Sequence, residues 1–426
     1  MKPRVTRREF LAASAAIAVT AALPASAQRG RGKDKLNIGV IGVYNRGRDN
    51  LDAVSGQNIV ALCDVDKKLR ESAAPKFPSA KLHVDFREMI EREDLDAVVV
   101  ATPDHMHAPA ALYAMNKGLH VYCEKPLAHS VYEVRKMAET ARKKRLVTQM
   151  GTQIHATVNY RRVVELVQSG VIGPVREVHC WVDRQWSGGD RPKDTPPIPA
   201  GLHWDLWLGP APERPYNPAY HPFNWRRWWD FGGGTLGDMG CHHMDLPYWA
   251  LNLGHPLSVY AEGPEPNSDS TPGWLIVRYE HPARGAQPPV TLTWRHGGKR
   301  PEYFAEGTLP SWGDGTLFVG EKGMLLADYG RYVLLPEKDF ASFTRPTPSI
   351  PESIGHHNEW IEAIKNGGTP LCNFDYASVL TEAVLLGNVS YRVGKKLEWD
   401  PKRLRASNCS EADSLIKPTF RKGWEL

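Results

Sequence analysis

Short apolar runs alternate with amphipathic stretches along the first third of the chain. Leu36–Gly42, Asn58–Asp64, Lys81–Val84, Ala97–Ala101, His120–Cys123 and Val147–Met150 read as strands. Between them, Arg46–Val54, Asp66–Lys76, Phe86–Arg92, Ala108–Lys117 and Val131–Lys144 read as helices, with Gly118 as a C-cap. Strand–helix alternation predicts an α/β, doubly wound, mostly parallel sheet over residues 36–150. Beyond residue 150 the period changes. One amphipathic helix, Val158–Ser169, is followed by strand-like runs at 175–184, 257–263, 273–280, 290–296, 315–320, 323–328 and 331–335, separated by Pro/Gly loops. Helices are predicted near 356–366 and 376–393. Residues 151–400 therefore read as an α+β domain with an open, mostly antiparallel sheet. Residues 28–35 read as a flexible lead-in, and 401–426 as a polar tail anchored by Trp424.

Composition narrows the class. A chain of 426 residues, 42% hydrophobic and 24% charged, can bury two ordinary cores. Of the net +5, Lys2, Arg4, Arg7, Arg8 and Glu9 put +3 in the first 27 residues, leaving +2 and no basic patch for nucleic acid. Those 27 residues read as a twin-arginine signal: Arg7-Arg8 before Phe10-Leu11, a short Ala-rich apolar stretch, and an Ala25-Ser26-Ala27 cleavage site. The apolar part is too short to span a bilayer, and no cysteine follows the cleavage site, so no stable membrane anchor is expected. Periplasmic or other export through the twin-arginine machinery is the expectation. The six cysteines form no C-x-x-C pair and are expected to pack as small buried hydrophobes.

Several motifs carry chemistry. Gly42-Val43-Tyr44-Asn45-Arg46-Gly47 follows the first strand and opens a helix. It matches a dinucleotide turn, with Tyr44 replacing the middle glycine. Asp64, 22 residues beyond Gly42, ends the second strand, where a carboxylate accepts from a ribose hydroxyl and repels a 2′-phosphate. That favours NAD over NADP, although Lys67 and Lys68 stand nearby; a helix-capping aspartate would look the same. Thr102, Asp104, His105 and His107 follow the fourth strand and could line the same cleft. They also read as a capped helix start, and no third ligand makes the histidines a metal site. Glu124-Lys125-Pro126 puts one lysine beside a carboxylate at a strand end, where it can polarise a hydroxyl or carbonyl. In Gly232–Asp245, Asp238 and His242 stand four apart and share a helix face, an arrangement suited either to general-base work or to a structural pair. His243 adjoins them. Arg184, Trp186, Trp225 and Arg226 belong to a tryptophan-rich stretch that could stack on and bond a sugar, or simply pack a core.

Together these residues resemble the Gfo/Idh/MocA oxidoreductases, the glucose–fructose oxidoreductase and inositol dehydrogenase group, over roughly residues 35–400. The most specific parts are Glu124-Lys125-Pro126 and the run from Gly232 to Asp245. The resemblance implies a Rossmann domain and a second domain whose sheet buries a sugar and often an oligomer contact. It implies a cis Lys125–Pro126 bond, Lys125, Asp238 and His242 around the reacting hydroxyl, and Gln153 at the nicotinamide; the export leader adds the expectation of a tightly held NAD, loaded before the chain leaves the cytoplasm. Tyr44 is the departure. Hydride transfer from a secondary hydroxyl of a sugar, glycoside or polyol is the expected activity. The alternative is a glycosidase that oxidises C3, eliminates, hydrates and re-reduces within one site. Free NAD is scarce outside the cytoplasm, so export favours such a closed cycle. A non-catalytic sugar-binding protein is a third reading.

Overall fold

The computed structural model describes residues 28–426; the twin-arginine segment expected over 1–27 lies outside the described residues. Six parallel strands form the first sheet in the order β3-β2-β1-β4-β5-β6. They are Asn37–Ile41 (β1), Asn58–Cys63 (β2), Lys81–His83 (β3), Ala97–Val100 (β4), His120–Cys123 (β5) and Thr148–Met150 (β6). β4 and β5 are buried at every position, as expected of central strands covered by helices on both faces. Helices Phe86–Arg92 and Val131–Lys144 have the expected bounds, the latter opened by a Ser130/Glu133 capping box. The helix expected over Asp66–Lys76 runs only Lys67–Ala73, capped by Asp66, and passes into a 3₁₀ turn containing Pro75.

Nine strands form the second sheet: Val175–Val182 (β7), Ser258–Glu262 (β8), Leu275–His281 (β9), Val290–His296 (β10), Gly315–Gly320 (β11), Gly323–Ala327 (β12), Tyr332–Leu335 (β13), Leu397–Asp400 (β14) and Arg405–Ala406 (β15). Their order is β13-β12-β11-β7-β10-β9-β8-β14-β15. Every neighbouring pair is antiparallel except β7 with β10. The sequence pattern missed β14 and β15, whose alternation is too short to register.

Two features differ from a simple split at residue 150. Helix His356–Asn366 returns to the first sheet, where Trp360, Ile361 and Ile364 pack with Ile38, Val40 and Tyr122. The lead-in at 28–35, read as flexible, is tied to the same body. Arg29 Nη1 donates to the Leu95 carbonyl at 2.6 Å, and Lys33 Nζ pairs with buried Asp96 at 2.8 Å. Helix Phe374–Val393 packs against helix Val131–Lys144, β8 and helix Gly234–His243. Its near-continuous burial explains an apolar pattern with no clear polar face.

Candidate active site

The carboxyl ends of β1, β2, β4 and β5 open into a cleft of about 400 Å³ between the first sheet and the tryptophan-rich segment of the second domain. Gly42 turns the chain out of β1 at φ +83°, and a Cβ there would lie 2.5 Å from the Ala101 carbonyl oxygen. Asn45 (φ 50°) leads into helix Arg46–Ala53, which starts at the sheet end of the cleft with its first turn closed by Gly47 N–H to the Tyr44 carbonyl and Arg48 N–H to the Asn45 carbonyl, both at 2.9 Å. Tyr44, the position that departs from the dinucleotide turn, lines the cleft and is 44% exposed. Asp64 is half-buried just past the end of β2 and accepts from the backbone N–H groups of Val43 (3.2 Å) and Asp66 (3.0 Å). Burial pushes its carboxyl up to about 6. Glu124 accepts from Arg46 Nε (3.0 Å) and Asn50 Nδ2 (2.9 Å). Thr102 Oγ1 and Gln153 Oε1 are buried without a partner, although both residues line the cleft. A tight strand–helix turn, a carboxylate ending β2 and orphaned polar atoms along the wall fit a bound dinucleotide.

At the other end stand Lys125, Asp238 and His242. The Lys125–Pro126 bond is cis. Lys125 Nζ donates to Asp238 Oδ1 at 2.6 Å and to the Asp238 carbonyl at 2.9 Å. Arg226 Nε donates to the same Oδ1 at 3.1 Å, and Trp186 Nε1 to Oδ2 at 2.9 Å. These donors hold the Asp238 carboxyl far below the ordinary range despite its burial. Asp238 and His242 share a helix in which every residue from Gly234 to His243 is buried. Gly240 lets this helix close on Val384, whose methyl would lie 2.9 Å from any added Cβ. The expected Asp238–His242 partnership is not formed, because the carboxylate is taken by three other donors. Buried His242 Nδ1 has no partner. Burial, then the Lys125 charge, hold this imidazole well below 6.5, hence neutral at pH 7. Asp104 lies close by, accepts from Gly233 N–H at 3.3 Å, and is pushed up to about 7 by burial.

Most sequence-expected residues meet at this cleft: Gly42, Tyr44, Asn45, Arg46, Asp64, Thr102, Asp104, His107, Glu124, Lys125 and Gln153 on the cofactor side, Arg184, Trp186, Trp225 and Arg226 on the other. Two do not. His105 is buried away from the cleft, its ring between the carbonyls of Trp207 (2.9 Å) and Phe231 (3.3 Å), and burial lowers it to about 3. His243 is buried against Tyr329, ring centroids 4.8 Å apart, and does not line the cleft. His107 lines the cleft, but its ring lies between the Thr102 and Pro126 carbonyls (2.9 and 2.8 Å). It therefore ties the two loops together rather than offering a free nitrogen. Among the described residues His155, Asp245 and Cys372 are close enough for a metal, but Asp245 already accepts from Tyr376 at 2.7 Å and pairs with His155 at 3.0 Å. The sequence reading missed Leu206, His221, Phe223 and Trp424 as cleft residues. None belongs to a motif, and only chain return brings them there.

Two family models match. Residues 36–152 match the oxidoreductase family, NAD-binding Rossmann fold, and residues 156–288 match its C-terminal alpha/beta domain. An inositol 2-dehydrogenase of Salmonella paratyphi B is 31% identical over 151 residues, 34% of this chain and 45% of that protein. An alpha-N-acetylgalactosaminidase of Shewanella oneidensis is 30% identical over 154 residues, 32% of this chain and 33% of that protein. The matched region thus spans less than half of either relative. The WlbA dehydrogenase of Bordetella pertussis, solved with NADH and UDP-GlcNAcA, shares the fold at a TM-score of 0.62 and 17% identity, over 86% of this chain and 99% of that one. With a six-stranded Rossmann sheet, a dinucleotide turn at Gly42 and matches to both domain models, the chain belongs to the Gfo/Idh/MocA family of NAD-binding oxidoreductases.

Proposed function

We propose that this protein is an NAD(H)-dependent oxidoreductase acting on a secondary hydroxyl of a sugar, glycoside or polyol. The observation that carries the reading is the cluster at the inner end of the cleft: a lysine ammonium, a buried imidazole and a carboxylate shared between two cations. Gly42, Asn45, Arg46, Asp64 and Gln153 would hold the dinucleotide, which when bound accepts or returns a hydride. His242 is neutral and so able to take the hydroxyl proton. Lys125 presents a fixed positive charge to the oxygen that loses it. Asp238 orients Lys125 and Arg226 rather than His242. Trp186, Trp225 and Phe223 offer aromatic faces, and Arg184 and Arg226 offer donors, to a polyhydroxylated ring.

A second reading, favoured by the similarity to an alpha-N-acetylgalactosaminidase, is a glycosidase whose oxidation is reversed within the same site. Twin-arginine export and pairing through the nine-stranded sheet belong to the same proposal. The test is made on purified protein without added cofactor. Released nucleotide is identified after denaturation, and native samples are assayed for NADH formation with sugars and polyols and for aglycone release from nitrophenyl glycosides. Net NADH supports the dehydrogenase; aglycone without net NADH supports the glycosidase. Lys125→Ala is expected to abolish turnover while nucleotide content is kept, and full activity in that variant overturns the assignment.

A further inference from the structure

One wall of the cleft contains none of the motif residues assigned to nucleotide or substrate. Asp64 marks the cleft's adenosine end, opposite Lys125 and Asp238. Besides Asp64 and Asp85 the lining includes the apolar and aromatic side chains of Leu69, Val84, Phe86, Leu206 and Trp424. An adenine ring wants such faces. Trp424 arrives from the C-terminal tail. Its ring centroid lies 6.3 Å from that of Phe86, and the Arg87 guanidinium lies 4.6 Å over it. Arg87 is itself held by Asp85, with Nη2 to Oδ2 at 2.6 Å.

The tail reaches this point under restraint from the second domain. Arg421 Nη1 donates to Asp205 Oδ1 at 2.5 Å, Nη2 to the Asp205 carbonyl at 2.7 Å, and Nε to the Gly209 carbonyl at 2.8 Å. The Arg421 N–H donates to the Pro210 carbonyl, and the Trp424 N–H to the Arg421 carbonyl, both at 3.0 Å. The Arg421 side chain is only 12% exposed although that of Asp205 is 78% exposed, so the arginine is packed as well as paired. Residues 421–424 thus strap helix Trp204–Leu208 of the second domain to helix Phe86–Arg92 of the first, across the outer end of the cleft.

The geometry points to a latch: Trp424, clamped through Arg421, closes the adenine end of the cleft, and the nucleotide leaves only when the tail lifts. This rests on the NAD reading above and adds to it a reason for retention. A resident cofactor is what either a closed redox cycle or a chain exported with its nucleotide needs.

The experiment uses the full chain loaded with NADH. Release is followed by loss of tryptophan-to-nicotinamide energy transfer during a chase with excess NAD⁺. Trp424→Ala is expected to release NADH about tenfold faster or more, the usual effect of losing one aromatic stacking partner of a base. Arg421→Ala is expected to move the same way with the indole still present, and Trp424→Phe to stay close to wild type. ADP-ribose affinity is expected to fall in Trp424→Ala while reduced nicotinamide mononucleotide, which lacks adenine, binds as before. Unchanged release in both alanine variants overturns the latch, and so does an equal loss for the two probes, since that would mean general loosening. A wild-type chain that neither holds nor takes up NADH overturns the cofactor reading itself, and the latch with it.

Discussion

Asp238 is the point at which the arrangement of charge can be tested without assuming any reaction. Its carboxylate faces Lys125 at 2.6 Å and Arg226 at 3.1 Å, and the side chains of Lys125 and Asp238 are each 10% exposed. At an effective dielectric constant of about 20, a pair of unit charges at 2.6 Å attracts by about 6 kcal/mol. Desolvation offsets most of that, and removing one partner of such a buried pair costs about 3–5 kcal/mol. Asp238→Asn keeps the shape but leaves two cations around a neutral amide, so it falls at the upper end. Lys125→Met leaves the carboxylate with Arg226 at 3.1 Å and Trp186 at 2.9 Å. Its expected cost is about 1.5–3 kcal/mol, that of hydrogen bonds lost from a charged group. The two variants therefore separate by about 2–3 kcal/mol on opposite sides of one contact. Urea unfolding of the nucleotide-free chain at pH 7 measures this. There the Asp238 contribution is whole, because a depressed carboxyl stabilises above its unfolded value and loses that stabilisation only as pH falls toward its folded one. If Asp238→Asn proves no less stable than Lys125→Met, the carboxylate is not the shared counter-ion of two cations and the reasoning fails.

Asp104 makes the opposite pH prediction. Its folded-state value of about 7 lies above the unfolded one, so its contribution is full below about pH 4 and is lost as pH rises through about 7. Asp104→Asn is expected to flatten the decline of stability over that window, read from urea midpoints at half-unit pH steps; an unchanged slope refutes it. Asp64→Ala is expected to raise affinity for NADPH relative to NADH by about tenfold or more, as removal of a like charge does. The ratio of the two dissociation constants checks this. Gly42→Ala forces a Cβ to 2.5 Å from the Ala101 carbonyl at φ +83°. It is expected to cost more than about 1 kcal/mol and to abolish nucleotide uptake, measured by unfolding and by NADH titration.

The local grammar of this chain was sufficient for its first domain. Apolar runs of strand length, helices between them, Gly42 at the first turn and Asp64 at the second strand end are short-range signals. The physics behind them, period, capping and glycine backbone freedom, acts within a few residues. Lys125, Asp238 and His242 were legible for the same reason, because each sits in a dense run of chemistry-bearing residues. What those residues do to one another was not legible. A spacing of four puts Asp238 and His242 on one helix face, yet the carboxylate goes to Lys125, Arg226 and Trp186, which arrive from three other segments and offer two full charges and an indole N–H. His105 and His243 sit beside motif residues in sequence and were read with them, but one helical step turns each into a carbonyl-lined or aromatic interior. The return of helix His356–Asn366 to the first sheet and the arrival of Trp424 at the nucleotide cleft depend on long-range packing. A single tryptophan in a polar tail carries no period that could announce it. The sequence by itself determined which chemistry this protein has available. Only the tertiary structure decided which charges pair and which surfaces close the cleft, because those choices are settled by burial and by competition among donors far apart in the chain.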